Sequence, residues 1–332
     1  MKGLLFSDIH FKLNSSCQPL NRIVAGTSIT LELKRAIDSV DFMKELVKKY
    51  ARELDFVAFL GDLFHSLNKN YNIIFYYAFQ KMQELYQLCR DCGLNFVVVA
   101  GNHDYVSENK FLTDLLPNDN LKLEKQGIKV VNYTQEFSPE FYKLQADYIL
   151  THNEFKNLKF NKQIVSKEGY SSKLIKQVKY SILNGHYHMH QKFQNIICVG
   201  SVYPQIPSEQ SDFHGAIIFD FDKNEIYKKI QNDKVFWFKE LRQEDYDIID
   251  YKDRYILILH FNPSRDYIEF LQEEGILYQI SPKIQRFTQA KRNKQDDVEY
   301  IIENNSDTRQ FIELLKNQYP KFSTLFDKYL NI

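Results

Sequence analysis

Residues 96–104 read Phe-Val-Val-Val-Ala-Gly-Asn-His-Asp: five apolar positions, a glycine, then three side chains able to bind a metal or carry a proton. A short apolar run closed by glycine reads as a buried strand ending in a turn. The arrangement recurs four times. Ser7-Asp8-Ile9-His10 follows the apolar run 3–6, and Gly61-Asp62-Leu63-Phe64-His65 follows 56–60. Thr151-His152-Asn153 follows 148–150, and Gly185-His186-Tyr187-His188 follows 180–183. Six of the nine histidines lie in these five segments. Strand ends in open α/β sheets are where ligand sites gather, so the segments are expected to converge on one site.

Around them the chain alternates strand and helix. After a long polar loop, 11–30, Leu33, Ile37, Val40, Met43 and Val47 recur on one helical face. A second helix, about 71–92, carries Ile74, Tyr77, Ala78, Met82, Leu85 and Leu88 and leaves through Gly93, completing a β-α-β-α-β start. From residue 182 onward short strands follow at 196–199, 215–221, 225–230 and 235–238, which implies two packed sheets with helices outside. The polar, acidic stretch 244–253 marks a domain boundary. Beyond it come a strand at 255–261, a turn and helix cap at Asn262-Pro263-Ser264, a helix at 265–274 and a strand at 276–287. A charged linker, 290–297, leads to helical segments within 307–330. The expectation is an α/β protein with a main domain over 1–240, a small α+β domain over 241–289 and a helical segment over 298–332.

With 332 residues the chain can bury the core of one large and one smaller domain. Cys17, Cys89, Cys92 and Cys198 form no disulfide framework and the opening apolar run is too short for a signal peptide. A reducing, cytoplasmic setting is expected, the host cytoplasm if the source is a virus. No run approaches the roughly 18 apolar residues of a membrane span. Lys+Arg and Asp+Glu are equal at 43 each, so no global cationic field holds nucleic acid. A polyanion would be bound by local patches, by metal or through a partner. The run Lys283, Arg286, Lys291, Arg292 and Lys294 is such a patch or else a solvated linker. The absence of Gly-x-x-x-x-Gly-Lys-[Ser/Thr] argues against ATP hydrolysis by this chain.

The five segments offer imidazoles, carboxylates and one carboxamide, a set suited to two Mn²⁺ ions, with Fe²⁺, Zn²⁺ or Mg²⁺ as alternatives. Asp8 and His10, two apart on one loop, can reach a single ion. Asp62 is the natural bridge, since a carboxylate can hold two ions about 3.5–4 Å apart. His188 would complete the first position, and Asn102, His152 and His186 would share Asp62 at the second. His103 diverges from its neighbour Asn102 and is free to stabilise phosphoryl charge and protonate a leaving oxygen.

Asp-x-His, Gly-Asp, Gly-Asn-His-Asp, a later lone His and Gly-His-x-His, in this order over about residues 1–240, resemble the calcineurin-like metallophosphoesterase superfamily. Within it, Gly61-Asp62-Leu63-Phe64-His65 is similar to the SbcD-type DNA repair nucleases and their bacteriophage recombination counterparts. The resemblance implies a four-layer sandwich of two sheets flanked by helices, a capping domain and C-terminal helices. It implies a Mn²⁺-dependent exonuclease and endonuclease acting on DNA, a homodimer, and a separate SbcC-like coiled-coil ATPase partner. It gives His65 a role in positioning the DNA end. Gly200-Ser201-Val202-Tyr203 is similar to a family stretch in which Ser201 and Tyr203 would contact phosphate, or which forms a tight turn. The loop carrying Asn14 and Arg22 is expected to meet substrate. Other phosphoesterases, acting on nucleotides, RNA or phosphoprotein, are the alternative; a non-catalytic scaffold on this fold is a third.

Single histidines near strand ends are usually structural. His190 is read as solvated or behind the ligands, His214 and His260 as structural, and Cys89-x-x-Cys92, without a second pair, as no zinc site. Asp104 would orient His103 or cap the helix after it.

Overall fold

The computed structural model describes residues 1–13, 29–65, 71–107, 110–134, 138–160, 164–171, 175, 177–252 and 254–281, with single positions at 313, 316 and 317. The loop residues Asn14 and Arg22, the basic run at 283–294 and nearly all of the 298–332 segment lie outside them.

The chain begins with β1 (Lys2–Phe6), α1 (Leu31–Tyr50), β2 (Phe56–Leu60), α2 (Tyr71–Asp91) and β3 (Asn95–Val99). A two-stranded ribbon, β4 (Tyr105–Ser107) with β5 (Lys110–Phe111), precedes α3 (Asn120–Glu124). Then come β6 (Ile128–Val131), β7 (Tyr148–Thr151), β8 (Ile182–Asn184), β9 (Gln191–Phe193), β10 (Ile196–Cys198), β11 (Gly215–Asp220) and β12 (Glu225–Gln231). The last described elements are β13 (Trp237–Leu241), β14 (Tyr255–Leu259), α4 (Arg265–Glu273) and β15 (Tyr278–Ile280).

Two five-stranded sheets have the orders β12-β11-β1-β2-β3 and β6-β7-β8-β10-β9. Both contain a run of parallel strands: β1 with β2, β2 with β3, β6 with β7, and β7 with β8. Side chains on a strand alternate between its faces, and this sorts the core. Leu5, Ala58, Leu60, Val97 and Ile217 point inward against Ile128, Leu150, Leu183 and Ile197 of the second sheet. Their neighbours Leu4, Phe6, Val57, Phe59, Phe96 and Val98 point outward, against Leu33, Val40, Met43 and Val47 of α1 and Ala78, Met82 and Leu85 of α2. The outer face of the second sheet is covered by the 3-10 helix Pro139–Lys143 and the coil around it, through Phe141, Phe155, Leu158 and Tyr170. This is the α/β sandwich expected from the sequence.

Local sequence signals set the helix ends. The Thr30 hydroxyl accepts the Leu33 N–H at 3.3 Å as the N-cap of α1. Gly93, at φ 74°, stops α2 while its N–H reaches the Arg90 carbonyl at 3.0 Å.

One strand falls elsewhere than the sequence suggested. The 235–238 run, read as part of the main sheets, belongs to β13, which pairs in parallel with β14 in a separate sheet of order β13-β14-β15. Helix α4, capped by Ser264, joins β14 to β15. Phe238, Ile256 and Ile258 of this small sheet pack with Leu31 at the start of α1.

Candidate metal centre

Asp8 and His10 leave β1, Asp62 leaves β2, Asn102 and His103 follow β3, His152 follows β7, and His186 and His188 follow β8. These are the carboxyl ends of parallel strands in both sheets, so the packing of the sheets brings the five segments to one edge. Past the strands the first two loops stay paired: the N–H groups of Asp8, His10 and Phe11 donate to the carbonyls of Gly61, Asp62 and Leu63 at 3.0, 3.0 and 2.7 Å.

The backbone here is strained. Of seven non-glycine residues with positive φ among the described residues, four are Asp8, His10, Asp62 and His186, at 56°, 51°, 59° and 68°. Such conformations cost about 1–3 kcal/mol each and persist where the surroundings over-determine them. The glycines beside them are required by close approach. A Cβ on Gly101 would stand 2.2 Å from Asp62 Oδ1, and one on Gly185 would stand 2.1 Å from the Leu60 carbonyl oxygen.

Histidine tautomers follow from acceptor-only partners. His10 Nδ1 lies 3.3 Å from the Phe64 carbonyl, His188 Nδ1 lies 2.9 Å from Glu209 Oε1, and His152 Nδ1 lies 2.6 Å from the Leu60 carbonyl. Each Nδ1 therefore carries the proton, which in a neutral ring leaves Nε2 a lone pair. The Nε2 atoms of His10 and His188 nevertheless face each other at 3.1 Å, with Asp8 Oδ1 at 3.7 Å from His10 and 3.9 Å from His188. Lone pairs so placed repel unless a proton or a metal ion stands between them. His152 Nε2 likewise faces Asp62 Oδ2 at 3.2 Å and Asp8 Oδ1 at 4.0 Å. His186 Nδ1 is 3.0 Å from Asn102 Oδ1, and its ring packs edge-on against His152. Both oxygens of Asp8 and the Nε2 atoms of His152 and His186 are buried with no hydrogen-bond partner. Burying so many polar atoms unpaired is costly. Two ligand atoms at right angles around a small divalent ion lie about 3.0 Å apart, so the donor set and its spacing fit two such ions. Among the described residues, the only groups of three or more His, Cys, Asp or Glu close enough to share an ion are Asp8-His10-His188, Asp8-Asp62-His152 and His10-His65-His103.

Electrostatics agree. Burial pushes the pKa of His10 well below its ordinary value, and burial with the neighbouring His152 pushes His186 down to about 3. Both rings are neutral, the form that binds metal. Burial disfavours charge on Asp62, but His152 and His10 hold it well below the usual carboxylate range. Burial also opposes charge on His152, yet Asp62 and Asp8 hold its pKa up at about 9. The two carboxylates that favour charge on His152 would favour a bound cation in the same way.

His103 stands slightly apart. Its backbone N–H donates to Asp62 Oδ1 at 2.9 Å, while Nε2 lies 4.0 Å from Asp62 Oδ2 on a side chain 38% exposed. The His65 ring stacks on it at 5.5 Å and 11°, and both lie edge-on to His10.

Ser201 and Tyr203, expected to contact phosphate, are fully buried behind the site. His214 Nε2–H donates to the Glu209 carbonyl at 2.9 Å, which leaves Nδ1 to accept from the Ser201 hydroxyl at 2.8 Å. Tyr203 lies under the Arg35 guanidinium, 4.7 Å from its ring centroid. His190 Nδ1 is engaged with the Val199 carbonyl at 3.2 Å. Cys89 and Cys92 join none of the ion-binding groups.

Two residues matter more than their sequence suggested. Asp104 neither orients His103 nor caps a following α-helix: its carboxylate accepts the N–H groups of Gly101, Asp62, Leu63 and Phe64 at 2.9, 3.0, 2.9 and 3.2 Å. Its place at the end of the Gly-Asn-His-Asp stretch was its one sequence signal. Glu209, behind His188, has none: it sits in a polar stretch, Pro207-Ser208-Glu209, with no spacing that ties it to the histidines.

The sequence profile of the calcineurin-like phosphoesterase family matches residues 1–302. No curated protein matches the chain. No helix among the described residues is long and apolar enough to cross a membrane.

Proposed function

The chain belongs to the calcineurin-like phosphoesterase family, and from that premise we propose that it is a Mn²⁺-dependent DNA exonuclease and endonuclease, the catalytic subunit of an SbcCD-like complex. The family is one of metal-dependent hydrolases with two ions, and the clusters around Asp8, Asp62, His10, His152 and His188 are the candidate ligands. In this reading Asp8, His10, Asp62 and His188 hold one ion, and Asp62, Asn102, His152 and His186 hold the other. Once bound, the ions supply Lewis acidity and an activated water for attack on phosphorus.

The observation that carries the nuclease reading is the stacked pair of His65 and His103. His103, partly exposed and next to Asp62, donates a proton to the leaving oxygen of the scissile phosphodiester. His65, one ring further out, sets where a DNA end stops. In this reading both act on a long substrate that passes the edge of the site. The separate ATPase and the homodimer belong to the same reading. Residues 298–332 are the proposed docking segment for the ATPase.

The test is to incubate the purified protein with Mn²⁺ and end-labelled duplex DNA, beside a generic phosphatase substrate and an RNA of the same length. Release of nucleotides from the DNA supports the proposal, and His65→Ala is expected to lose exonuclease products before internal cleavage. Turnover of the phosphatase substrate or of RNA alone would replace it with the wider phosphoesterase reading. Loss of ATPase co-purification on removing 306–332 would support the docking role.

A further inference from the structure

All four histidines assigned to the ions have a hydrogen-bond partner at Nδ1, and the partners differ: His186 meets the neutral amide oxygen of Asn102 at 3.0 Å. His10 and His152 rest on the neutral carbonyls of Phe64 and Leu60, whereas His188 rests on the carboxylate of Glu209. We propose that Glu209 is the positioning residue that makes the ion held by Asp8, His10, Asp62 and His188 the tighter-bound of the two. The inference rests on the two-ion reading above.

Glu209 is 7% exposed and both of its oxygens are committed. Oε1 takes the His188 Nδ1–H and Oε2 takes the backbone N–H of Gln205 at 2.7 Å. The segment that carries it is fastened at several points. Arg35 Nη2 donates to the Pro204 carbonyl at 2.7 Å and His214 to the carbonyl of Glu209 itself at 2.9 Å. The Gln205 amide donates to the Asp8 carbonyl at 3.3 Å and accepts from Lys12 Nζ at 3.1 Å. The carboxylate thus has a fixed position relative to both Asp8 and His188. A carboxylate behind a ligating imidazole fixes the ring and makes its free nitrogen a stronger donor, and removing such a partner commonly weakens metal binding 10–100-fold. Nothing comparable supports His152, and Asn102 brings no charge. In the two-ion reading the positions are therefore unequal: one has Asp8 and Asp62 among its ligands and Glu209 behind them, while the other shares Asp62, has Asp8 Oδ1 4.0 Å from His152 Nε2, and has no carboxylate behind a ligating ring.

The experiment titrates Mn²⁺ into metal-free protein and counts free ion by its electron paramagnetic resonance signal. Wild type, Glu209→Gln, Glu209→Asp, His188→Ala and the double variant Glu209→Gln with His188→Ala are compared. Wild type is expected to bind two ions with distinct affinities. Glu209→Gln should weaken the tighter one about 10–100-fold and leave the other within about threefold. Glu209→Asp, which keeps the charge at shorter reach, should fall between, and it carries the test should the glutamine variant fail to fold in the metal-free state. Adding Glu209→Gln to His188→Ala should change nothing further, because Glu209 acts through that ring. Unchanged affinities in both Glu209 variants, equal weakening of both ions, or additive losses in the double variant would overturn the inference while leaving the two-ion reading intact. A wild-type protein that binds no ion would overturn both.

Discussion

Asp104 Oδ2 accepts the backbone N–H of Asp62 at 3.0 Å, so the carboxylate proposed to bridge two ions is held in place through its main chain. The same carboxylate also takes the N–H groups of Gly101, Leu63 and Phe64, which ties the turn after β2 to the turn after β3. Burial and the nearby Asp62 push the Asp104 pKa up to about 7 even against these donors. That is the cost of keeping a second acid so close to the first, and the positive φ of Asp62 is maintained by it.

Asp104→Asn is therefore expected to be costly for its size. An amide can present one acceptor oxygen but must turn an NH₂ toward the remaining N–H groups, leaving buried donors unpaired. A loss of about 2–4 kcal/mol is expected, measured by urea unfolding of the metal-free protein. A midpoint and slope equal to wild type would show that these bonds do not hold the loop.

Asp62→Ala and His10→Ala should differ in how much metal they release. Asp62 faces His152 at 3.2 Å and His10 at 3.7 Å, so its removal touches both proposed positions, whereas His10 serves one. Elemental analysis after dialysis against Mn²⁺ should find less than one equivalent in Asp62→Ala and about one in His10→Ala. Two full equivalents retained by Asp62→Ala would end the bridging assignment.

If the proposed nuclease reading holds, His103→Ala should keep its ions and bind DNA as wild type does while turnover falls by about 10²–10⁴. The ring is partly exposed and 4.0 Å from Asp62 Oδ2, and since it also stands with His10 and His65 close enough to share an ion, metal content separates the two roles. Loss of an ion alongside the lost turnover would recast His103 as a ligand.

Gly101→Ala should disable the centre without adding a polar group. Its new methyl would sit 2.2 Å from Asp62 Oδ1 and 2.4 Å from the Asp62 backbone nitrogen, inside any tolerable contact. The loop must shift, at about 1–3 kcal/mol, and Mn²⁺ uptake should drop in step with stability. A variant with wild-type melting temperature and full metal content would mean that the approach is looser than it looks.

Glu209 and Asp8 show where sequence reading reached its range. Asp8-x-His10 was legible because two side chains on one loop can reach one ion by short-range geometry, and His186-x-His188 because it stands in a Gly-His-x-His stretch that resembles the family's. Glu209 lies 21 residues beyond His188, and its contact exists only because the 204–209 segment folds back under Arg35 and His214. Ser201 and Tyr203 illustrate the converse: their position just after a strand near the site was readable, but the burial of their hydroxyls was not. For β13 the apolar pattern was visible in the sequence, yet its partner β14 was set by sheet pairing beyond the reach of local periodicity.

By itself the sequence left out the short strands β4, β5, β6 and β9 but determined the strands that lead into the site, the residues that leave their ends and the glycines that let them turn. All of these depend on neighbours a few positions away, through period-two burial and the steric freedom of a missing Cβ. Tertiary structure alone decided which Nε2 atoms face one another at 3.1 Å, which backbone amides Asp104 collects and which histidine has an anion behind it. Apart from the Gly101 amide, three positions from Asp104, these contacts join residues from about 20 to nearly 180 positions apart. They come into being when two sheets pack and their loops are closed, and a contact of that kind leaves no period in the sequence that makes it.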